Sequence, residues 1–434
     1  MERRAAWEIP LASMITVTLC IPCTTNGQTA EWSAYAADKA GSKYLPLDQI
    51  NTNTVADLEI VWKQPVIPDA IRNGNTSRGP VGSQTTPLMA DGLLYFSTGL
   101  GTIAALAPTT GEVIWNTGPR DGVRVRQTRG IAYWTDGNQR RVIATLGPRL
   151  VSLEAQTGRY DTDFGEAGEV DLRLGLLRPF PAFYWNAAPI IVNDVIIIGS
   201  YVDDITTNQR VANKESPRGD VRGFDVRTGE HLWTFHTIPR ENEFGVDTWG
   251  IDPVDDRASW EYSGNTNMWA HPTGDEELGY VYLPLSTPTN DYYGGHRPGD
   301  NLFAESLVCV DAKTGERIWH FQAIHHGVWD YDFASSAVLL DITVDGREIK
   351  AIAQPSKQAF VYVFDRITGE PVWPIEERPV PASVVPGERL ALTQPFPTKP
   401  PAFELQGVSI DNLIDFTPEL RAEAIDLLEQ YEWG

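Results

Sequence analysis

The sequence predicts an all-β fold of repeated sheets set around an axis, a β-propeller, on three observations. The pattern Thr-Gly-x3-Trp recurs at Thr110-Gly111 with Trp115, Thr228-Gly229 with Trp233, Thr314-Gly315 with Trp319, and Thr368-Gly369 with Trp373. Short apolar runs such as residues 92–97, 194–199 and 279–283 fill the intervals, each bounded by turn-forming residues. Helical periodicity is absent until the C-terminal stretch. Strands in sets, with one aromatic anchor per set, are how a propeller reads in sequence.

Taken in order, residues 1–30 differ from the rest. Arg3 and Arg4 precede the mostly apolar residues 9–23, and small polar residues follow. That is the order of an export leader, so the chain is expected to act in the periplasm, with residues 31–434 as its domain. Leu58-Glu-Ile-Val-Trp62 reads as an opening half-copy of the repeat, and Thr157-Gly158 as a copy without its Trp. In each copy the Gly supplies a tight turn and the following strand carries the Trp. A large planar ring at the same place in each unit can dock between neighbouring sheets and bury about 150 Å² or more. Unequal spacing implies long insertions, mostly between residues 159 and 310, and the Pro-rich residues 379–401 read as a surface insertion. Thr417 is a natural helix N-cap with Pro418 at the first helical position, and Leu420, Ala424, Leu427, Leu428 and Tyr431 share one face of the helix that follows.

Charge and cysteine content narrow the function. Asp plus Glu number 58 against 35 Lys plus Arg, a formal charge of −23, which repels phosphate backbones and argues against a nucleic-acid partner. Cys20 and Cys23 fall in the leader, leaving Cys309 alone in the mature chain, so neither an internal disulfide nor a thiolate metal cluster is expected. Cys23 is followed by Thr24 rather than His, so the pair is not a c-type haem attachment site.

The densest group of titratable side chains is His325-His326-Gly327-Val328-Trp329-Asp330-Tyr331-Asp332, between two copies of the repeat. Such a loop on a rigid scaffold is where a site is expected. It also has a purely structural reading, as a turn whose Asp caps backbone amides and whose Trp fills a blade interface.

Together, the repeats and this loop resemble the quinoprotein dehydrogenases that use pyrroloquinoline quinone (PQQ), and most closely the membrane glucose and quinate dehydrogenase branch. Trp32 with Tyr44-Leu-Pro-Leu-Asp-Gln-Ile-Asn51 resembles that family's opening, and Asp291-Tyr-Tyr-Gly-Gly-His-Arg-Pro-Gly-Asp-Asn301 with residues 325–332 resembles its middle. The likeness runs from about residue 31 to the end. It implies a quinoprotein-type propeller, eight-bladed in the family, of which this chain supplies about five as an incomplete, C-terminally truncated ring.

The resemblance also implies a site. Asp330 falls at the family's catalytic base, where a carboxylate takes the substrate hydroxyl proton as hydride leaves the carbon. Lys357 matches the cation that hydrogen-bonds the quinone oxygens, Trp269 the indole stacked on the cofactor, and Arg129 a carboxylate-binding arginine. For calcium, or another hard divalent or trivalent ion, the implied ligands are Asp204, Thr287 and Asp330. Thr287 stands where the family has an amide, and Gln84 where many members carry Glu. Asp332 resembles the extra carboxylate of lanthanide-using alcohol dehydrogenases but does not choose the metal. Each residue has a plainer reading: Asp204 as a turn residue, Lys357 as a surface lysine, Trp269 as a blade anchor, Arg129 as a blade ion pair. The function implied is oxidation of a sugar, polyol or related alcohol, with electrons passing to a separate quinone or cytochrome c. The alternatives are an inactive propeller that binds without turnover and, prompted by Trp329-Asp330, a WD40-type scaffold.

Overall fold

A computed structural model of the chain describes residues 31–71, 84–120, 125, 128–176, 183–202, 214–431 and 433. The expected leader, with Cys20 and Cys23, and the expected ligand Asp204 lie outside the described residues. Cys309 is buried as a free thiol.

Blade I is the antiparallel sheet β1 (Leu88–Ala90), β2 (Leu93–Ser97), β3 (Ile103–Leu106) and β4 (Val113–Thr117). Blade II is β5 (Ala132–Thr135), β6 (Arg140–Leu146), β7 (Arg149–Glu154) and β8 (Glu169–Asp171). Next come β9 (Phe183–Tyr184), β10 (Ile190–Val192), β11 (Val195–Ile198), β12 (Tyr201–Val202), β13 (Val221–Asp225) and β14 (His231–Phe235). Of these, β10-β11-β13-β14 make blade III, and β9 pairs with β12 as a short ribbon. Blade IV is β15 (Thr273–Asp275), β16 (Tyr280–Pro284), β17 (Ser306–Asp311) and β18 (Arg317–Gln322). Blade V has three strands, β19 (Val338–Val344), β20 (Arg347–Pro355) and β21 (Val361–Asp365). The fold is thus the all-β propeller the repeats imply, with five blades among the described residues.

The repeat explains how blades join. In blade IV, Asp311 Oδ1 accepts from the amides of Lys313 and Thr314, each at 2.9 Å, and Gly315 turns the chain at φ +71°. A methyl on Gly315 would lie 2.6 Å from the Trp233 ring, so only glycine lets that indole rest on the turn. The Trp233 Nε1–H then donates to Ala312 O at 2.9 Å. Trp115 sits the same way on Gly158, donating to Ala155 O at 2.9 Å, and Trp319 on Gly369, donating to Arg366 O at 3.1 Å. In blade II, which lacks the Trp, the fully buried Phe164 lies against Gly229. Each anchor buries a ring against the next sheet and satisfies its one polar atom.

Both ends of the series modify the expectation. Leu58 to Trp62 forms no strand among the described residues, yet Trp62 rests on Gly111 and donates to Pro108 O at 2.9 Å. Trp373 is not equivalent to the other three. It is half-buried with Ile349 and Val363 on blade V itself, and no Thr-Gly dipeptide follows Gly369 in the sequence.

Residues 31–43 tie the blades together along a different line. Trp32 O accepts from Met89 N of blade I at 2.9 Å, and Tyr35 stacks on His271 beside blade IV with centroids 4.4 Å apart. Lys39 O accepts from Gly274 N, and Ala40 O from Leu339 N of blade V, each at 2.8 Å.

The Pro-rich insertion is more ordered than expected. Its flanks pair as β22 (Ile375–Pro379) and β23 (Thr393–Pro397), because the register alternates Ile375, Phe396 and their neighbours against blade V. The terminal helix α1 (Pro418–Leu428) forms as expected, with the Thr417 side chain accepting from Leu420 N. Its apolar face stays exposed at Leu420, Leu427 and Tyr431.

If the indole-on-glycine contact is the joint between blades, its removal has a defined cost. Trp233→Ala and Trp319→Ala are expected to lose about 3–5 kcal/mol each, and Trp373→Ala roughly half of that or less. Denaturant unfolding of the three variants measures this. Equal losses at all three positions would show that the joint is not what these rings have in common.

Candidate functional site

The expected site residues arise from segments far apart in sequence. Arg129 lies just before β5, Trp269 just before β15, Asp330 on the crossover from β18 to β19, and Lys357 in the turn from β20 to β21. Backbone bonds align the first of these segments, with Thr86 N donating to Arg129 O at 3.0 Å and Arg129 N to Asn186 O at 2.7 Å. A cavity of about 220 Å³ has Arg129, Trp269, Asp330, Asp332 and Lys357 in its wall.

Loop 325–332 is fixed from behind. Arg297, completely buried, donates to Gly327 O at 2.6 Å, Asn290 O at 3.1 Å and Asn301 Oδ1 at 2.7 Å. His326 takes a left-handed backbone, φ +52°, and its Nδ1–H donates to Gly299 O at 2.7 Å. Burial and the Arg297 charge push its imidazole down to about 4, so it is neutral and structural. His325 is held by the Pro-rich hairpin: its amide donates to Gln394 Oε1 at 2.8 Å, and Gln394 returns a bond to His325 O at 2.7 Å. Neither histidine lines the cavity.

Asp332 is the hub. Its Oδ1 accepts from Thr287 N at 2.7 Å and Thr287 Oγ1 at 3.0 Å, and its Oδ2 from Trp269 Nε1 at 2.9 Å and Lys357 Nζ at 3.2 Å. Four donors fill the positions a carboxylate offers. Lys357 also donates to Asp330 O at 2.8 Å and pairs with Asp330 Oδ2 at 3.1 Å. Burial pulls the ammonium down, but Asp332 and Asp330 outweigh it and hold Lys357 above its ordinary value. Burial, with the Asp332 charge, pushes the Asp330 carboxyl up to about 6 despite Lys357. Arg129 stands 4.7 Å over the Trp269 ring and donates to Trp269 O at 2.8 Å and Gln84 Oε1 at 3.3 Å. Burial lowers its guanidinium.

Thr287 does not line the cavity. Its hydroxyl lies 3.0 Å from Asp332 and 3.0 Å from Oε1 of Glu305, a completely buried carboxyl at the start of β17. Burial and the Asp332 charge push Glu305 up to about 8. One hydroxyl proton cannot serve both acids. A neutral Glu305 donates to Thr287, and Thr287 passes its own proton bond to Asp332. Sequence reasoning missed Glu305, since Phe-Ala-Glu-Ser at a strand start carries no signal of it. Asn265 and Asn267, also in the cavity wall, carry only the weak signal of lying just before Trp269.

These residues suit a planar polyanion with carbonyl oxygens: an indole face, a guanidinium, an ammonium and a carboxylate converge on one cavity. The expected ligand Asp204 lies outside the described residues. Among the described residues no group of three or more His, Cys, Asp or Glu is placed to hold a metal ion.

Comparison with known proteins agrees with the fold. The model of the PQQ glucose/ethanol/alcohol dehydrogenase β-propeller domain matches residues 32–434. The glycerol dehydrogenase large subunit of Gluconobacter thailandicus is 31% identical over 422 residues, covering 91% of this chain and 53% of that protein. The quinoprotein glucose dehydrogenase of Escherichia coli (strain K12) is 29% identical over 390 residues, covering 84% and 46%. Among solved structures, the quinohemoprotein alcohol dehydrogenase of Comamonas testosteroni superposes with a TM-score of 0.66 at 25% identity, covering 86% of this chain and 52% of that one. The chain spans about half the length of the curated relatives it matches.

Glu305 gives a pH test of the buried network. Its folded pKa lies above the ordinary 4.5, so its contribution to stability is complete below about 4.5 and is lost as pH rises through about 8. Glu305→Gln keeps a donor toward Thr287 and cannot ionise. Between pH 5 and 9 the native protein is expected to lose on the order of a few kcal/mol more than the variant, read by urea unfolding. Parallel profiles would mean that Glu305 is not neutral in the fold.

Proposed function

Because this chain belongs to the PQQ-dependent glucose/ethanol/alcohol dehydrogenase β-propeller family, we propose that it oxidises a sugar, polyol or related alcohol, with Asp330 as general base. The observation that supports this reading best is the convergence of Trp269, Arg129, Lys357 and Asp330 on one cavity. When bound, PQQ supplies the hydride acceptor, and a hard cation such as calcium, for which Asp330 and Asp204 are the ligands this reading calls for, polarises its carbonyl.

The protein's own part is binding, orientation and proton removal. The Trp269 indole offers a flat apolar face, held at its edge by the Nε1–H bond to Asp332. Arg129 presents a guanidinium to a carboxylate, where its planar fork is best matched. Lys357, fixed between Asp330 and Asp332, places a positive charge in the cavity wall beside the position the quinone oxygens would take. Asp330 is half-buried and raised toward neutrality, which suits a carboxylate that must take an alcohol proton near pH 7. Export to the periplasm and electron transfer to a separate quinone or cytochrome c belong to the same proposal.

A second reading, a propeller that binds without turning over, is favoured by one observation: the Thr287 hydroxyl is turned to Glu305 and Asp332 and away from the cavity.

Titration with PQQ and calcium, followed by tryptophan fluorescence and by dye-linked oxidation of glucose and glycerol, separates the two. Saturable quenching with turnover supports the first reading, and quenching without turnover supports the second. In an active preparation Asp330→Asn should keep the quenching and lose about 10²–10⁴-fold in turnover. A loss below roughly tenfold removes Asp330 from the base role.

A further inference from the structure

Two cavities of about 490 and 620 Å³ open side by side where blade II meets blade III, and they share Gly175, Leu176, Arg218, Asp220 and Arg240 in their walls. They form one cleft, larger than the candidate site and with no wall residue in common with it. The two are nonetheless neighbours, because Gly219 N donates to Asn265 O at 2.8 Å and Asn265 lines the candidate site.

The charges in the cleft do not balance locally. Asp220 pairs with Arg240 at 2.7 Å, and Asp171 pairs with Arg149 at 3.0 Å and Arg173 at 2.7 Å. Arg222 is only 9% exposed, yet among the described residues it forms no ion pair, and its donors reach just the carbonyls of Leu172 at 2.8 Å and Leu174 at 3.2 Å. Burial pushes its guanidinium down to about 10, with Asp220 opposing only in part. Arg218 donates to Trp260 O, and its Nε is buried without a hydrogen-bond partner. Asp171 and Asp220 are thus already paired, while among the described residues neither Arg218 nor Arg222 has a carboxylate partner. The acids at the mouth, Glu241 and Glu261, stay in solvent. A buried cation without a counter-charge is costly. In a chain of formal charge −23 such a place is the exception. The wall also carries Leu174, Leu176, Phe183 and Phe224, with His231, Thr234 and His236 among them.

We propose that this cleft is a second binding site, for a small organic anion whose carboxylate is taken by Arg222 and Arg218 and whose apolar body lies against Leu174 and Leu176. Arg222 closes one wall with donors to spare, since a guanidinium carries five and two are engaged.

Isothermal titration of the full chain with benzoate, acetate and inorganic phosphate tests this. Benzoate is expected to bind saturably and at least about tenfold more tightly than acetate, because the ring buries apolar surface. Arg222→Met should weaken benzoate at least about tenfold. Arg218→Gln, at a half-exposed position, should weaken it in the same direction should Arg222→Met fail to fold, and Asp330→Asn should leave it unchanged. The proposal is overturned by absence of saturable benzoate binding, by phosphate or acetate binding as tightly as benzoate, by retention of affinity in the Arg218→Gln protein, or by loss of benzoate binding in Asp330→Asn.

Discussion

The whole arrangement depends on one contact: an indole laid flat on a glycine that no other residue could replace. Trp115 on Gly158, Trp233 on Gly315 and Trp319 on Gly369 repeat the same geometry, and each buries a large ring while its single N–H finds a carbonyl in the next blade. The contact seats each sheet against the next, and Arg129, Trp269 and Asp330, carried by different blades, line one cavity. They are brought together by the fold and not by direct sequence proximity. At Gly229 the Phe164 ring, together with Val170, stands where the other joints have an indole.

Within the site, organisation passes through Asp332 and not through the proposed base. Asp332 holds the indole edge, the Lys357 ammonium and the Thr287 amide at once, and Glu305 stands behind Thr287 as an uncharged support. A carboxylate with every acceptor position filled is a poor nucleophile, base or ligand, but a good template. Asp330, two residues earlier, has among the described residues only Lys357 as its ion-pair partner and lines the cavity. One acid is thus spent on geometry, and the other is left for chemistry.

Much of the fold was legible because its signals are local. The Thr-Gly turn, the alternating strands and the Thr417-Pro418 helix start each act over a few residues, and all appear where the sequence places them. Trp373 and Leu58 to Trp62 carry the same local pattern with a different outcome: Trp373 packs on blade V itself, and Leu58 to Trp62 forms no strand among the described residues although Trp62 keeps its glycine contact. In the site, Asp330, Lys357, Trp269 and Arg129 were legible through likeness to a family. Glu305 was not, because a buried acid is defined by its surroundings and looks in sequence like any strand-start Glu. Thr287 shows the limit of position-by-position transfer: its place in the chain matches, but its hydroxyl is drawn backward by Glu305. The Pro-rich stretch misled in the other direction, since its prolines lie at a hairpin whose Gln394 braces His325.

The strap formed by residues 31–43 has a bearing on how the chain is made. It is synthesised before every blade, yet its last bonds, from Ala40 to Leu339, join it to blade V. The earliest part of the domain to leave the ribosome is therefore among the last to find its full set of partners. Contacts of such long sequence separation form slowly, because loop-closure entropy must be met before they repay it. Until then the strap is an extended, unpaired segment, and the sheets it will cross are unbraced on that side. Assembly is in this sense a race between the closing of the strap and the capture of open sheet edges by other chains, and the strap works as the fastener applied after the parts are in place.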